Sequence, residues 1–74
     1  MNIKLPQVSG ADVKRALEKI GFVKVGQKGS HVKMKHPDGR IVIVPMHRTL
    51  KKGTLRGILR QAKLTVEQLI ELLK

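Results

Sequence analysis

Residues 31–44 read His31-Val32-Lys33-Met34-Lys35-His36-Pro37-Asp38-Gly39-Arg40-Ile41-Val42-Ile43-Val44. The first arm alternates polar and apolar side chains, the second is a run of β-branched residues, and Pro37-Asp38-Gly39 between them is a turn signal. The stretch predicts an antiparallel hairpin. With Asp38-Gly39 as a two-residue loop, His36 faces Ile41, Lys35 faces Val42, Met34 faces Ile43 and Lys33 faces Val44. Directly opposed residues share a sheet face. One face then carries Val32, Met34, Ile41 and Ile43 as a core set. The other carries His31, Lys33 and Lys35 beside Val42 and Val44. A slip of one residue would exchange the faces of the second arm.

Upstream of the hairpin, Phe22 to Lys28 is predicted as a further strand, with Gly26 and Gly29 marking a bend or loose turn. Before it, Ser9 to Ile20 has helical spacing: Val13, Ala16, Leu17 and Ile20 fall on one stripe. Ser9 with Asp12 makes a short-acid capping box, and Gly21 stops the helix. Downstream, Pro45 ends the third strand because it has no N–H for the ladder. A basic loop with His47, Arg48, Lys51 and Lys52 leads to a second helix that opens at Gly53 or Thr54 and carries the stripe Leu55, Ile58, Leu59 and Ala62. Thr65, with Gln68 as its capping-box partner, starts a third helix with the stripe Val66, Leu69, Ile70 and Leu73. The predicted order is α-β-β-β-α-α: a three-stranded antiparallel sheet with helices on one face, an α+β architecture in one domain spanning residues 1–74.

The chain is short, at 74 residues, so its core is thin. It has no cysteine, which excludes disulfides, thiolate zinc sites and a cysteine nucleophile, and suits a reducing cytoplasm. Met1 to Val8 contains no apolar run of signal length, and no stretch is long enough for a membrane span, so no membrane partner is expected. Sixteen Lys and Arg stand against five Asp and Glu, a formal charge of +11. A field of that sign draws polyanions, and nucleic acid first among them. Phe22 is the only Phe, Tyr or Trp. Without an aromatic platform for splayed bases, contacts should go to phosphates, sugars and helical shape. Fifteen of the sixteen basic residues precede Leu64, so the last helix, with Glu67 and Glu71, should complete the core or meet a partner.

Two stretches carry a family resemblance. One is Gly29-Ser30-His31 followed by His36-Pro37-Asp38-Gly39-Arg40. The other is Val44-Pro45-Met46-His47 with Gly53-Thr54-Leu55-Arg56-Gly57-Ile58-Leu59-Arg60-Gln61-Ala62. With the helix-Gly21-Phe22 opening, these resemble the HicA toxins of toxin–antitoxin systems over nearly the whole chain. The resemblance implies a double-stranded-RNA-binding-domain-like fold and an mRNA interferase that cuts RNA without a metal or other cofactor. It also implies a catalytic histidine in the Gly-Ser-His motif, here His31, and a HicB antitoxin as the blocking partner. Two positions depart from the family: Val32 stands where many relatives carry a second histidine, and Lys63 where a glycine commonly follows Gln-Ala.

Metal-free cleavage would use the ribose 2′-hydroxyl as nucleophile and needs a base near neutral pKa, which histidine offers. It would leave a 2′,3′-cyclic phosphate. Lys33 and Lys35, in register with His31, are candidates for holding the phosphate backbone and stabilising transition-state charge. Lys28, just before the motif, and Ser30, within it, are further candidate RNA contacts. Lys51 and Lys52 adjoin a helix N-terminus, which favours phosphate. His36, at the hairpin end, is read as structural. His47, bordering the basic loop, is a candidate RNA contact and not a catalytic group; a lysine, or His31 itself after an exchange of roles, is left to protonate the leaving oxygen, and the residues do not choose between them. Val42 and Val44 beside the lysines are candidates for antitoxin contact over His31. The competing reading is a small basic module that binds double-stranded RNA and cuts nothing. A DNA-binding accessory fits less well, because the basic surface is a strand face and loop, not a recognition helix.

Overall fold

The computed structural model describes residues 4–74; Met1 to Ile3, part of the segment read for a leader peptide, lie outside the described residues. The elements are α1 (Gly10–Lys19), β1 (Val23–Lys28), β2 (His31–Lys35), β3 (Ile41–Pro45), α2 (Lys52–Ala62) and α3 (Val66–Leu72). The strands form one antiparallel sheet in the order β1-β2-β3. The helices pack on it, giving the α+β, double-stranded-RNA-binding-domain-like architecture. No helix among the described residues is long and apolar enough to cross a membrane.

Both predicted capping boxes form. Ser9 accepts from the Asp12 N–H while Asp12 accepts from the Ser9 N–H, and Thr65 and Gln68 exchange the same pair of bonds. The stripes of α1 and α2 meet the sheet in a core of Val13, Ala16, Leu17, Phe22, Val32, Met34, Leu55, Ile58, Leu59 and Ala62, closed at one end by Leu69 of α3. Lys63 ends α2 in the left-handed region at φ 57, where glycine is the usual occupant; this is the family departure noted above. Lys19 donates from Nζ to the Leu72 and Lys74 carbonyls and so satisfies the free end of α3.

The hairpin register differs from the expectation by one residue. Lys35 pairs with Ile41, Met34 with Val42, Lys33 with Ile43, Val32 with Val44 and His31 with Pro45. The loop is three residues, Pro37-Asp38-Gly39, closed by His36 N–H to the Arg40 carbonyl at 2.9 Å and Gly39 N–H to the His36 carbonyl at 2.9 Å. Proline suits the first position of the type I turn in such loops, and Gly39 at φ 99 takes the left-handed position that follows. The consequence is the exchange that a slip of one residue produces. Val42 and Val44 are fully buried at 0% exposure, while Ile41 and Ile43 are 44% and 40% exposed. The valines therefore belong to the core and are unavailable to an antitoxin.

Arg40 secures this turn. Its backbone N–H donates to Asp38 Oδ1 at 3.0 Å and its Nε to Asp38 Oδ2 at 2.8 Å. Its Nη1 donates to the Ala62 carbonyl at the end of α2, and its guanidinium lies 5.0 Å from the Phe22 ring centroid. The backbone N–H bond from Arg40, helped by its guanidinium, holds the Asp38 carboxyl below its ordinary value of 3.8.

Two outcomes follow. Val42→Ser, which opens a cavity and buries a hydroxyl, should cost roughly 2–4 kcal/mol in chemical denaturation, and Ile43→Ser under about 1 kcal/mol; the two-residue register requires the reverse order. Because the folded pKa of Asp38 is depressed, its stabilisation is present above pH 3.8 and lost as pH falls through the folded value. Melting temperature followed into acid should drop less steeply for Asp38→Asn than for the parent chain.

Candidate nucleic-acid interface

The open face of the sheet carries the predicted cations. Lys28 and His31 are partners across the β1–β2 turn, Lys33 lies between Gly26 and Ile43, and Lys35 between Val23 and Ile41. Partners share a face, so His31, Lys28, Lys33 and Lys35 stand together, with Val23, Ile41 and Ile43 as exposed apolar neighbours. A β-bulge between Lys24 and Gly26 bends β1 here and leaves Val25 exposed.

Gly29-Ser30 is a tight two-residue turn, not a loose one. Gly29 takes a positive φ of 57, as the first position of a type II′ turn requires. His31 thus begins β2 at the corner of the sheet. The chain leaving β3 runs back past this corner: Met46 N–H donates to the Ser30 carbonyl at 2.6 Å. Beyond it, Gly10 N–H donates to the His47 carbonyl at 2.9 Å, and Leu50 N–H to the Val8 carbonyl at 2.9 Å. Gly10 has no room for a side chain, since a Cβ there would stand 2.0 Å from the Pro45 oxygen and 2.8 Å from Met46 Cα. The start of α1 is therefore pressed against the segment that follows β3.

This anchoring puts His47 beside His31. The ring centroids are 6.3 Å apart and nearly perpendicular, at 74°. His47 Nε2 lies 3.5 Å from Ser30 Oγ. Both histidines are exposed. His36 is held differently: half-buried, it donates from Nε2 to the Ile20 carbonyl at 2.9 Å, receives the Asp38 N–H on Nδ1 at 3.1 Å, and packs edge-on to Phe22 at 5.1 Å. Its ring is engaged in joining the hairpin turn to the end of α1.

Lys51 is the N-cap of α2 and makes no side-chain cap bond; Lys52 is the first helical residue, one turn position earlier than expected, and no acid lies in the first turn. These two lysines stand four residues or more along the chain from His47, outside the strand cluster. Among the described residues, none of Lys28, Lys33, Lys35, Lys51 and Lys52 is in an ion pair. The acids Asp12, Glu18, Asp38 and Glu71 are engaged with Arg15, Lys14, Arg40 and Lys74. The strand lysines are thus uncompensated, which favours a polyanion over the face. No three His, Cys, Asp or Glu side chains gather as a metal-binding group among the described residues.

Sequence reasoning did not find the outward isoleucines, Arg40's role, the tight fit at Gly10 or the approach of His47. The first had a signal in Pro37 as the opening residue of a three-residue loop. The approach of His47 had none, because it depends on contacts between segments far apart in the chain.

The fold and its surface define a class: a small α+β, double-stranded-RNA-binding-domain-like protein whose open sheet face is cationic and carries two exposed histidines at one corner. The sequence model of the family described as HicA toxin of bacterial toxin-antitoxin matches residues 10–64, and the chain belongs to that family. It is therefore of the toxin class of toxin–antitoxin systems. A search of curated proteins gives no match.

Gly10→Ala should lower stability by about 1–3 kcal/mol, because backbone and not a mobile side chain must yield. Gly57→Ala, inside α2 with nothing near its Cβ position, should raise it by roughly 0.5–1 kcal/mol. Thermal melts of the two variants check both; equal effects would rule out the close approach at Gly10.

Proposed function

We propose that this toxin is an endoribonuclease that cuts mRNA without a metal, with His31 as a general acid–base group. The observation that carries the reading is the position of His31: exposed, at a sheet corner, on the same face as Lys28, Lys33 and Lys35. A base there meets a phosphodiester drawn in by the lysines. It takes the proton of the ribose 2′-hydroxyl, and the 2′-oxygen attacks phosphorus to give a 2′,3′-cyclic phosphate and a free 5′-hydroxyl. The lysines neutralise the backbone and the charge that grows on the nonbridging oxygens. Ser30 contacts RNA beside them, and Lys51 and Lys52 take a phosphate further along, where the N–H groups of α2 point outward.

The partner is a HicB-like antitoxin that blocks the toxin by covering the strand face. The apolar side chains exposed on that face are Val23, Ile41 and Ile43, beside Lys33 and Lys35. They sit among cations, so an apolar strip edged with carboxylates is the complementary surface.

The test is incubation of the purified protein with RNA in EDTA beside His31→Ala. Cleavage by the parent chain, loss of about 10²–10⁴-fold in the variant, and suppression by the antitoxin are expected. Equal rates would remove His31 from the mechanism. Binding without cleavage by the parent chain would return the reading to a non-enzymatic RNA-binding module.

A further inference from the structure

Cleavage by a ribose hydroxyl needs two proton transfers. One proton leaves the 2′-oxygen and another must reach the departing 5′-oxygen, which is a poor leaving group as an alkoxide. The attacking and leaving oxygens stand on opposite sides of phosphorus in an in-line displacement. A single imidazole at one side serves the other poorly, so a second group is needed across the phosphate. Ammonium groups, with an ordinary pKa of about 10.4, are poorly matched to proton transfer near neutrality, whereas an imidazole is well matched.

The chain has three histidines. His36 is engaged through both ring nitrogens with the fold. The rings of His31 and His47 are exposed and stand nearly perpendicular, edge to face, with centroids 6.3 Å apart. A phosphate lying across the pair can accept one hydrogen bond of about 2.6–3.2 Å from each ring. His47 is held by its backbone, since its carbonyl receives Gly10 N–H and its neighbour Met46 bonds Ser30. Among the described residues its ring has one hydrogen-bond partner, Ser30 Oγ, at 3.5 Å, the outer limit of a hydrogen bond. The ring is therefore positioned by the fold without being consumed by it.

We propose that His47 is a second catalytic residue, the general acid that protonates the leaving 5′-oxygen opposite His31. The inference rests on the ribonuclease reading above. His31 takes the 2′-hydroxyl proton, the 2′-oxygen–phosphorus bond forms, the phosphorus–5′-oxygen bond breaks, and the 5′-oxygen takes the proton of His47. His31 is left protonated and His47 neutral, and exchange with water restores the pair. No other reactant is required.

A substrate whose 5′-oxygen is replaced by sulfur isolates this step, because a thiolate leaves without protonation. His47→Ala and His47→Gln, each checked for an unchanged melting transition, are compared with the parent chain and His31→Ala on ordinary RNA and on the sulfur-substituted RNA. Affinity for 2′-O-methyl RNA, which is not cleaved, is measured alongside. Expected are a loss of about 10²–10⁴-fold for both His47 variants on ordinary RNA, near-parental rates on the sulfur substrate, and unchanged affinity. His31→Ala stays slow on both substrates. Parental rates for the His47 variants on ordinary RNA, or equal losses on both substrates, overturn the proposal and leave the ribonuclease reading standing. A parent chain that cleaves neither substrate overturns that reading as well.

Discussion

Arg40 lies at the meeting point of the hairpin turn, the buried Phe22 ring and the end of α2. Its guanidinium binds Asp38 in the turn, the Ala62 carbonyl and the face of Phe22. With His36 paired across the turn to Arg40, the loop is held at three residues, and the loop length dictates the register of β2 against β3. Everything on the two sheet faces follows. Val32, Met34, Val42 and Val44 fill the core, and His31, Lys33, Lys35, Ile41 and Ile43 face outward. In a chain with so thin a core, four side chains placed on the wrong face would not be tolerated, so the turn is a determinant of the fold and of the surface together.

The distribution of charge is the second organising fact. Four of the five acids sit in local pairs with nearby cations, in α1, in the turn and at the C-terminal end, and the fifth, Glu67, lies in α3. The strand face is left with cations alone. A cationic, nearly aromatic-free face reads backbone and shape in preference to bases. Lysines and the exposed apolar side chains Val23, Ile41 and Ile43 thus share the same face of the strands.

The histidines divide by what surrounds them. His36 is drawn inward by Phe22 and the Ile20 carbonyl and ties α1 to the hairpin. His31 and His47 come from segments sixteen residues apart and meet because Pro45 lies opposite His31 and the chain then turns under the start of α1. Gly10 permits that close passage, so a residue remote from the sheet in sequence sets the spacing at its corner.

The order of elements, both capping boxes and the stripes of α1 and α2 were legible in the residues, because they depend on interactions within a few positions along the chain. The outward placement of His31, Lys33 and Lys35 was legible too, since alternation within one strand needs no partner. The face of β3 was not: it depends on one residue of loop length, and the Asp38-Gly39 pair suits a two-residue turn as well as Pro37-Asp38-Gly39 suits a three-residue one. Tertiary structure decided it through Arg40, whose contacts with Ala62 and Phe22 come from distant segments. The same holds for His47. Its type and position in a basic loop are written in the sequence, but its neighbour is not, because proximity to His31 is created by the hydrogen bonds from Met46 N–H to the Ser30 carbonyl and from Gly10 N–H to the His47 carbonyl, which only the folded chain can make.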